Sequence, residues 1–180
     1  MTRHIALLRG INLGARNRVS MPDLRSALAE AGYEDVRTLL QSGNVVLSGD
    51  RTPDAVAHEL EALLADAFDV KTRVVVRSRD QLAKVIERNP LAEAMDDPKR
   101  FQVSFLSAAP DPEIARALSA RDLAPEQVAF LGEEVYAWHP GGLQRSPLAR
   151  LLDDRGLGVT ATARNWSTVT KLLALADEGQ

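Results

Sequence analysis

Residues 72–86 read TRVVVRSRDQLAKVI and residues 159–173 read VTATARNWSTVTKLL. Sliding one onto the other by 87 positions aligns Arg77 with Arg164, Ser78 with Asn165, Leu82 with Val169 and Lys84 with Lys171. Each copy is a short extended run, an arginine, a small polar cap and an amphipathic helical stretch. A repeat of that length means one supersecondary unit built twice. The constraint falls on architecture, because a doubled unit must fold by one rule in both places.

The element pattern extends the repeat to the whole chain. His4–Arg9 is a strand candidate whose Ile5, Ala6, Leu7 and Leu8 are apolar on both faces. A long loop follows. Ser20 and Asp23 then form a capping pattern with Pro22 in the first turn, ahead of Leu24, Ala27, Leu28 and Ala31 at helical spacing. Val36–Gln41 and Val45–Ser48 read as strands flanking Ser42, Gly43 and Asn44, where Gly and Asn suit positive φ. Thr52 and Pro53 open a helix carrying Val56, Leu60, Leu63, Leu64 and Ala67. Thr72–Arg77 is a strand, and Ser78 with Gln81 opens a helix that Asn89 and Pro90 stop.

The second half repeats the order. Phe101–Leu106 is a strand and Asp111 with Pro112 starts a helix. Gln127–Leu131 and Glu134–Trp138 flank a turn. Ser146 with Pro147 caps a helix bearing Leu148, Leu151 and Leu152, which Gly156 is placed to end. Val159–Arg164 is the last strand, and Asn165 caps the final helix with its Val169, Leu172, Leu173 and Ala176 stripe. Each half is therefore β-α-β-β-α-β, the ferredoxin-like plait. The expected fold class is α/β (α+β): a duplicated βαββαβ plait packed as one unit. Residues 1–89 form the first repeat plus its following helix, 101–180 the second plus the final helix, and 90–100 the junction.

Composition narrows the chemistry. No cysteine is present, which removes disulfides, thiolate zinc sites and cysteine nucleophiles. His4, His58 and His139 are scattered, so no metal site and no cofactor are expected. The apolar run in MTRHIALLRG is too short for a signal peptide, and no run reaches the length of a membrane span. The reading is a soluble, cytoplasmic protein without a membrane partner. A net charge of −3 and a pI near 5.7 give no global attraction to nucleic acid. Local charge differs: residues 1–22 hold Arg3, Arg9, Arg16 and Arg18 and no acid, and 156–176 hold Arg164 and Lys171 and no acid.

Four segments stand out. The first is Arg9, Gly10, Asn12 and Gly14 at a strand end, where glycines let a backbone approach an anion. It is neither a dinucleotide fingerprint nor a P-loop, and its structural alternative is a crossover loop. The second is Gln41, Ser42, Gly43 and Asn44, in which only Gln41 exceeds what a turn requires. The third is Arg164, Asn165, Trp166 and Lys171. An arginine beside a helix start can clamp an anion, and Trp166 either stacks on a ring or plugs a core. The fourth runs from His139 to Pro147, with Gly141, Gly142, Arg145 and Ser146. A Ser146–His139 catalytic pair is set aside, because Ser146 has a capping role and no acid is placed to orient His139.

The phrases LLRGIN, QSGNVV, RS-x-L and TARNWSTV-x-KL, in that order from Ile5 to Leu175, resemble a bacterial family catalogued as domain of unknown function 1697. The resemblance implies a duplicated ferredoxin-like fold and brings no activity, substrate or cofactor. Its marked positions fall on Arg9, Gly10, Asn12, Gly14, Gln41, Ser42, Gly43, Asn44, Arg145, Ser146, Leu148, Arg164, Asn165, Trp166, Thr168 and Lys171. Three departures occur: Ala15 replaces a glycine, Pro147 a lysine and Ser167 an asparagine. The lost lysine removes a cation from the site.

The expected function is a binding module for a small anionic or nucleotide-like ligand in a basic pocket between repeats. Its ligand-binding residues would be Arg9, Asn12, Gln41, Asn44, Arg145, Arg164, Trp166 and Lys171. No catalytic residue is assigned. The alternatives are an enzyme acting on such a ligand, a single-stranded nucleic-acid binder, and a structural, self-associating homodimer.

Overall fold

The computed structural model describes residues 1–178. Among the described residues the chain runs β1 (Thr2–Leu8), α1 (Met21–Glu30), β2 (Glu34–Leu39), β3 (Asn44–Gly49), α2 (Pro53–Phe68), β4 (Val74–Ser78) and α3 (Arg79–Glu87). The order then repeats: β5 (Phe101–Leu106), α4 (Pro112–Ser119), β6 (Gln127–Leu131), β7 (Glu134–Trp138), α5 (Pro147–Leu151), α6 (Asp154–Leu157), β8 (Ala161–Asn165) and α7 (Trp166–Asp177).

Two four-stranded sheets form, ordered β2-β3-β1-β4 and β6-β7-β5-β8, with every pairing antiparallel. This is the plait order in both cases, so the fold is the duplicated α+β plait. The registers agree in detail. Ile5 lies between Val46 and Arg77, and Val103 lies between Tyr136 and Arg164. The duplication read from 72–86 and 159–173 is thus a duplication of strand register as well as of sequence.

Packing divides the chain into two units, Met1–Lys84 with Lys171–Gln180, and Val85–Thr170. The second repeat of the sequence reading follows chain order, whereas packing groups the end of α7 with the first unit. Two surface ion pairs accompany that end: Arg37 Nη1 to Glu178 Oε2 at 3.2 Å and Arg79 Nε to Asp177 Oδ1 at 2.7 Å. The half of α3 that belongs to the second unit is tied there by Tyr136, whose hydroxyl donates to the Val85 carbonyl at 2.8 Å.

In the first unit β1 is buried throughout its apolar run, with Ile5, Ala6 and Leu8 fully covered. Ala6 and Leu8 join Leu24 and Leu28 of α1, Leu60 and Leu64 of α2, and Val45 and Leu47 of β3 in one core. The helix starts follow the sequence. Ser20 Oγ accepts from Asp23 N, and Thr52 Oγ1 accepts from Ala55 N. At α3 the box is reciprocal: Ser78 N donates to Gln81 Oε1 at 2.7 Å and Gln81 N donates to Ser78 Oγ at 3.2 Å. Asn165, its counterpart, accepts from Thr168 N at 2.9 Å.

The second unit's core gathers Leu106, Leu118, Val135, Ala137, Leu148 and Leu157. Here one expectation is corrected. The helix after Ser146 does not continue to Gly156. It breaks at Leu152 and restarts at Asp153, whose carboxylate accepts from Gly156 N at 2.7 Å. Gly156 lies inside α6, at a position where a Cβ would overlap the Leu151 carbonyl oxygen, so only glycine fits. Gly158, at φ +71, is the residue that ends the helix.

Candidate functional site

The first unit brings two of the singled-out segments together at one end of its sheet. Leu8 N donates to the Gly43 carbonyl at 2.8 Å, and Asn12 N to the Asn17 carbonyl at 2.9 Å. A Cβ on Gly43 would lie 2.7 Å from Leu8 Cβ and 2.8 Å from Ile11 Cδ1, so close approach as well as its φ of +85 demands glycine. Asn12 is the fastener. Its Nδ2 donates to the carbonyls of Gln41 at 2.7 Å and Val19 at 3.0 Å, and its Oδ1 accepts from Val19 N at 2.8 Å. It sits at φ +54, a region asparagine visits more readily than most residues.

Asn12 is therefore engaged on the protein itself, and the same holds for Asn44. Asn44 is fully buried, and its Nδ2 donates to the Leu39 carbonyl at 2.8 Å and to Ser42 Oγ at 3.1 Å. The sequence reading gave Asn44 a positive-φ turn position. In the structure it begins β3 and acts through its side chain, while Leu40 and Gly43 take the left-handed positions. Arg9 follows β1 with its backbone held by Arg73 and Thr72. Gln41 is exposed beside it in the hairpin.

The fastening role makes a direct prediction. Asn12→Ala will lose three hydrogen bonds and cost about 2 kcal/mol. Denaturant unfolding measures the loss, and hydrogen exchange at the Val19 amide will speed up by more than that of β1 amides. An unchanged Val19 rate would show that the loop holds without Asn12.

In the second unit Arg164 stands on β8, paired in register with Val103. Its Nη1 donates to Thr162 Oγ1 at 2.7 Å and to the Ala163 carbonyl at 2.9 Å. Burial pulls its pKa down to about 10, so it is still a cation at neutral pH. Trp166 packs edge-on against Phe101, with centroids 5.4 Å apart and planes at 81°. It is thus partly a packing residue, the commoner fate of a lone tryptophan. Lys171 is exposed on α7.

Arg145 has a different setting. It lines a pocket of about 300 Å³ built entirely from the second unit. The walls come from two chain segments: Asp122 to Glu126 ahead of β6, and Pro140 to Gly142 with Arg145 to Pro147 after β7. Leu123, Pro125, Pro140 and Pro147 make the surface largely apolar. No described residue makes a hydrogen bond or ion pair with the Arg145 guanidinium. Arg164 and Trp166 do not line this pocket.

Part of that wall belongs to a largely buried polar cluster that the sequence reading did not assemble. Glu126 Oε1 is 3.1 Å from His139 Nδ1, and its Oε2 accepts from Leu148 N at 3.1 Å. Ser146 Oγ is 2.8 Å from the same Nδ1 and accepts from Ala149 N at 2.8 Å. Burial raises the Glu126 pKa, but Ser146, His139 and the Leu148 amide together outweigh it and hold the carboxyl below the usual range. A carboxylate facing Nδ1 requires the hydrogen on that nitrogen.

An acid is thus placed to orient His139, contrary to the sequence expectation. Catalysis still does not follow. The acid–His–Ser relay needs the carboxylate and the serine on opposite ring nitrogens, and here both meet Nδ1. Ser146 is 2% exposed and caps α5. The cluster is a brace for the loop that carries Arg145. Glu126 was missed because it lies 13 residues before His139, in a loop with no local pattern linking the two.

Among the described residues no group of three or more His, Asp or Glu could hold a metal ion. No helix among them is long and apolar enough to cross a membrane. Fold and site together define a two-plait α+β protein with a small pocket of mixed charge in its second repeat. Residues 1–136 match the model of a family described as proteins of unknown function, DUF1697, and the chain belongs to that family. The match ends at Tyr136, so Arg145, Arg164, Trp166 and Lys171 lie beyond it. Among solved structures, a conserved bacterial protein from Streptococcus pneumoniae is similar, with a TM-score of 0.74 and 23% identity. The similarity covers 97% of this chain and 98% of that one, and it shows the fold. No curated protein matches.

Proposed function

We propose that the protein binds a small anionic ligand in the second-unit pocket, with Arg145 as the charge that holds it. The observation that carries this reading is a guanidinium with no hydrogen-bond or ion-pair partner among the described residues, on the wall of a concave, mostly apolar space. An arginine offers a planar fork of donors suited to a carboxylate or phosphate. The two carboxylates in the wall are not equal opponents of an anion. Glu126 is occupied by His139, Ser146 and Leu148 and is largely covered, whereas Asp122 is exposed.

Size and lining favour a compact acid over a nucleotide. About 300 Å³ is at the lower end of the ~300–1,000 Å³ typical of small-molecule sites. No aromatic ring lines the pocket, so a base would have nothing to stack on.

A thermal-shift and calorimetric screen against small carboxylates, phosphorylated metabolites and nucleotides tests the reading, since a ligand of the native state raises the melting temperature. A small carboxylate or phosphate is expected to bind, and Arg145→Ala to weaken it at least about tenfold, the size of one charged hydrogen-bonding contact. Arg9→Ala and Arg164→Ala in the same assay test the wider basic set. Binding that survives Arg145→Ala and is lost in Arg164→Ala would overturn the assignment to this pocket.

A further inference from the structure

The pocket carries both signs of charge, and the two exposed ones do not neutralise each other. Arg145 and Asp122 line the same space, yet no ion pair forms between them. Among the described residues the only hydrogen bond to the Asp122 carboxylate is a long one, from Ala124 N at 3.4 Å. The rest of the wall is largely apolar, with Leu123, Pro125, Pro140 and Pro147 in it. A simple anion would satisfy Arg145 and leave its remainder facing Asp122, a like charge. A ligand with an anionic and a cationic group on a small apolar body satisfies both ends and covers the wall.

We infer that the ligand is a zwitterion of the α-amino-acid class with an apolar side chain. Its carboxylate meets Arg145, its ammonium meets Asp122, and its side chain lies on the proline- and leucine-lined wall. This inference rests on the anion site proposed above and adds the ammonium requirement. The mixed charge selects against two neighbours in chemistry. An acid without the amine forfeits the Asp122 contact, and an amine without the acid forfeits the Arg145 contact. Each leaves one desolvated charge uncompensated.

Calorimetric titration of the full chain with three matched compounds separates the readings: L-leucine, 4-methylpentanoate and 3-methylbutylamine. The first carries both charged groups, the second lacks the amine, and the third lacks the acid. L-leucine is expected to bind at least about tenfold more tightly than either of the others, the worth of one charged contact. Asp122→Asn is expected to remove most of the preference for leucine over the acid while leaving acid binding in place. Arg145→Ala is expected to remove both. Asp122 is exposed, so its variant should fold as the parent does, and circular dichroism verifies this.

Equal affinity for leucine and 4-methylpentanoate, unchanged by Asp122→Asn, would overturn the zwitterion inference and leave the anion site standing. Binding of the amine alone, unaffected by Arg145→Ala, would overturn both. Absence of binding by all three overturns the apolar amino-acid inference, and the broader screen of carboxylates and phosphates then decides the anion site separately.

Discussion

Glu126→Ala will lower the unfolding free energy by about 3 kcal/mol, because it strips a buried charged acceptor from several donors at once. The Glu126 carboxylate accepts from the Leu148 amide and faces His139 Nδ1, and Ser146 shares the same cluster. His139 is fully buried and Ser146 nearly so, so their polar atoms lose an acceptor that only water entering from the pocket could replace. Leu148 N belongs to the first turn of α5, where it has no partner within the helix. The variant should lose the order of residues 139–148, and with it the position of Arg145.

The pH dependence of this effect has a definite sign. The folded-state pKa of Glu126 lies below its unfolded value. Its contribution is fully present above the unfolded pKa, near 4.3 for an ordinary glutamate, and is lost as pH falls through the lower folded-state value. Glu126→Gln keeps the shape and part of the bonding. It should therefore be less stable than the parent at pH 7, with the gap narrowing as the pH falls below about 4. Denaturant melts of both proteins between pH 3 and 7 measure this. A gap that is constant with pH would mean that the carboxylate's charge contributes nothing.

Gly156→Ala is the second large effect, with an expected cost of about 3 kcal/mol from overpacking. Gly156 is within helix α6, where alanine would ordinarily be favoured by nearly 1 kcal/mol. Here the added Cβ would overlap the Leu151 carbonyl oxygen and sit 2.8 Å from its carbon. Backbone is the obstacle, so no side-chain rotation relieves it. The α5–α6 break would have to open, which displaces Leu148 and Leu157 from the core. Gly141→Ala is the control, because nothing lies within 4 Å of a Cβ there. It should change the denaturation midpoint by no more than a few tenths of a kcal/mol. Equal effects at the two positions would show that the break between α5 and α6 does not constrain Gly156.

The plait was legible because it is written in local patterns. The ranges Phe101–Leu106, Gln127–Leu131 and Glu134–Trp138 occur in the sheet with the bounds that alternation and turn residues suggested. Ser78 with Gln81 and Asn165 cap their helices as their spacing implies. A helix period, a cap or a turn is decided by residues within four positions of one another, so the linear string contains it. The α5–α6 break was misread because the close approach of Gly156 to the Leu151 carbonyl is a relation between backbone atoms, and a backbone atom has no letter in the sequence.

The site was legible only in part. Arg145 was singled out for the glycines and the cap beside it, and it does line a pocket. Asn12 and Asn44 were singled out too, but their side chains are used within the protein. A polar side chain near a turn reads the same whether it awaits a ligand or binds its own backbone. Asp122 and Glu126 gave no signal, since a carboxylate in a loop is ordinary until its neighbours are known.

By itself the sequence determined the doubled order of strands and helices, because hydrogen bonding and side-chain alternation along the backbone are short-range. Only the tertiary structure decided that Glu126 braces His139 and Ser146, and that Arg145 and Asp122 face one small apolar space. Those relations join segments separated by a strand hairpin, and it is the antiparallel closure of β6 on β7 that carries them to one place.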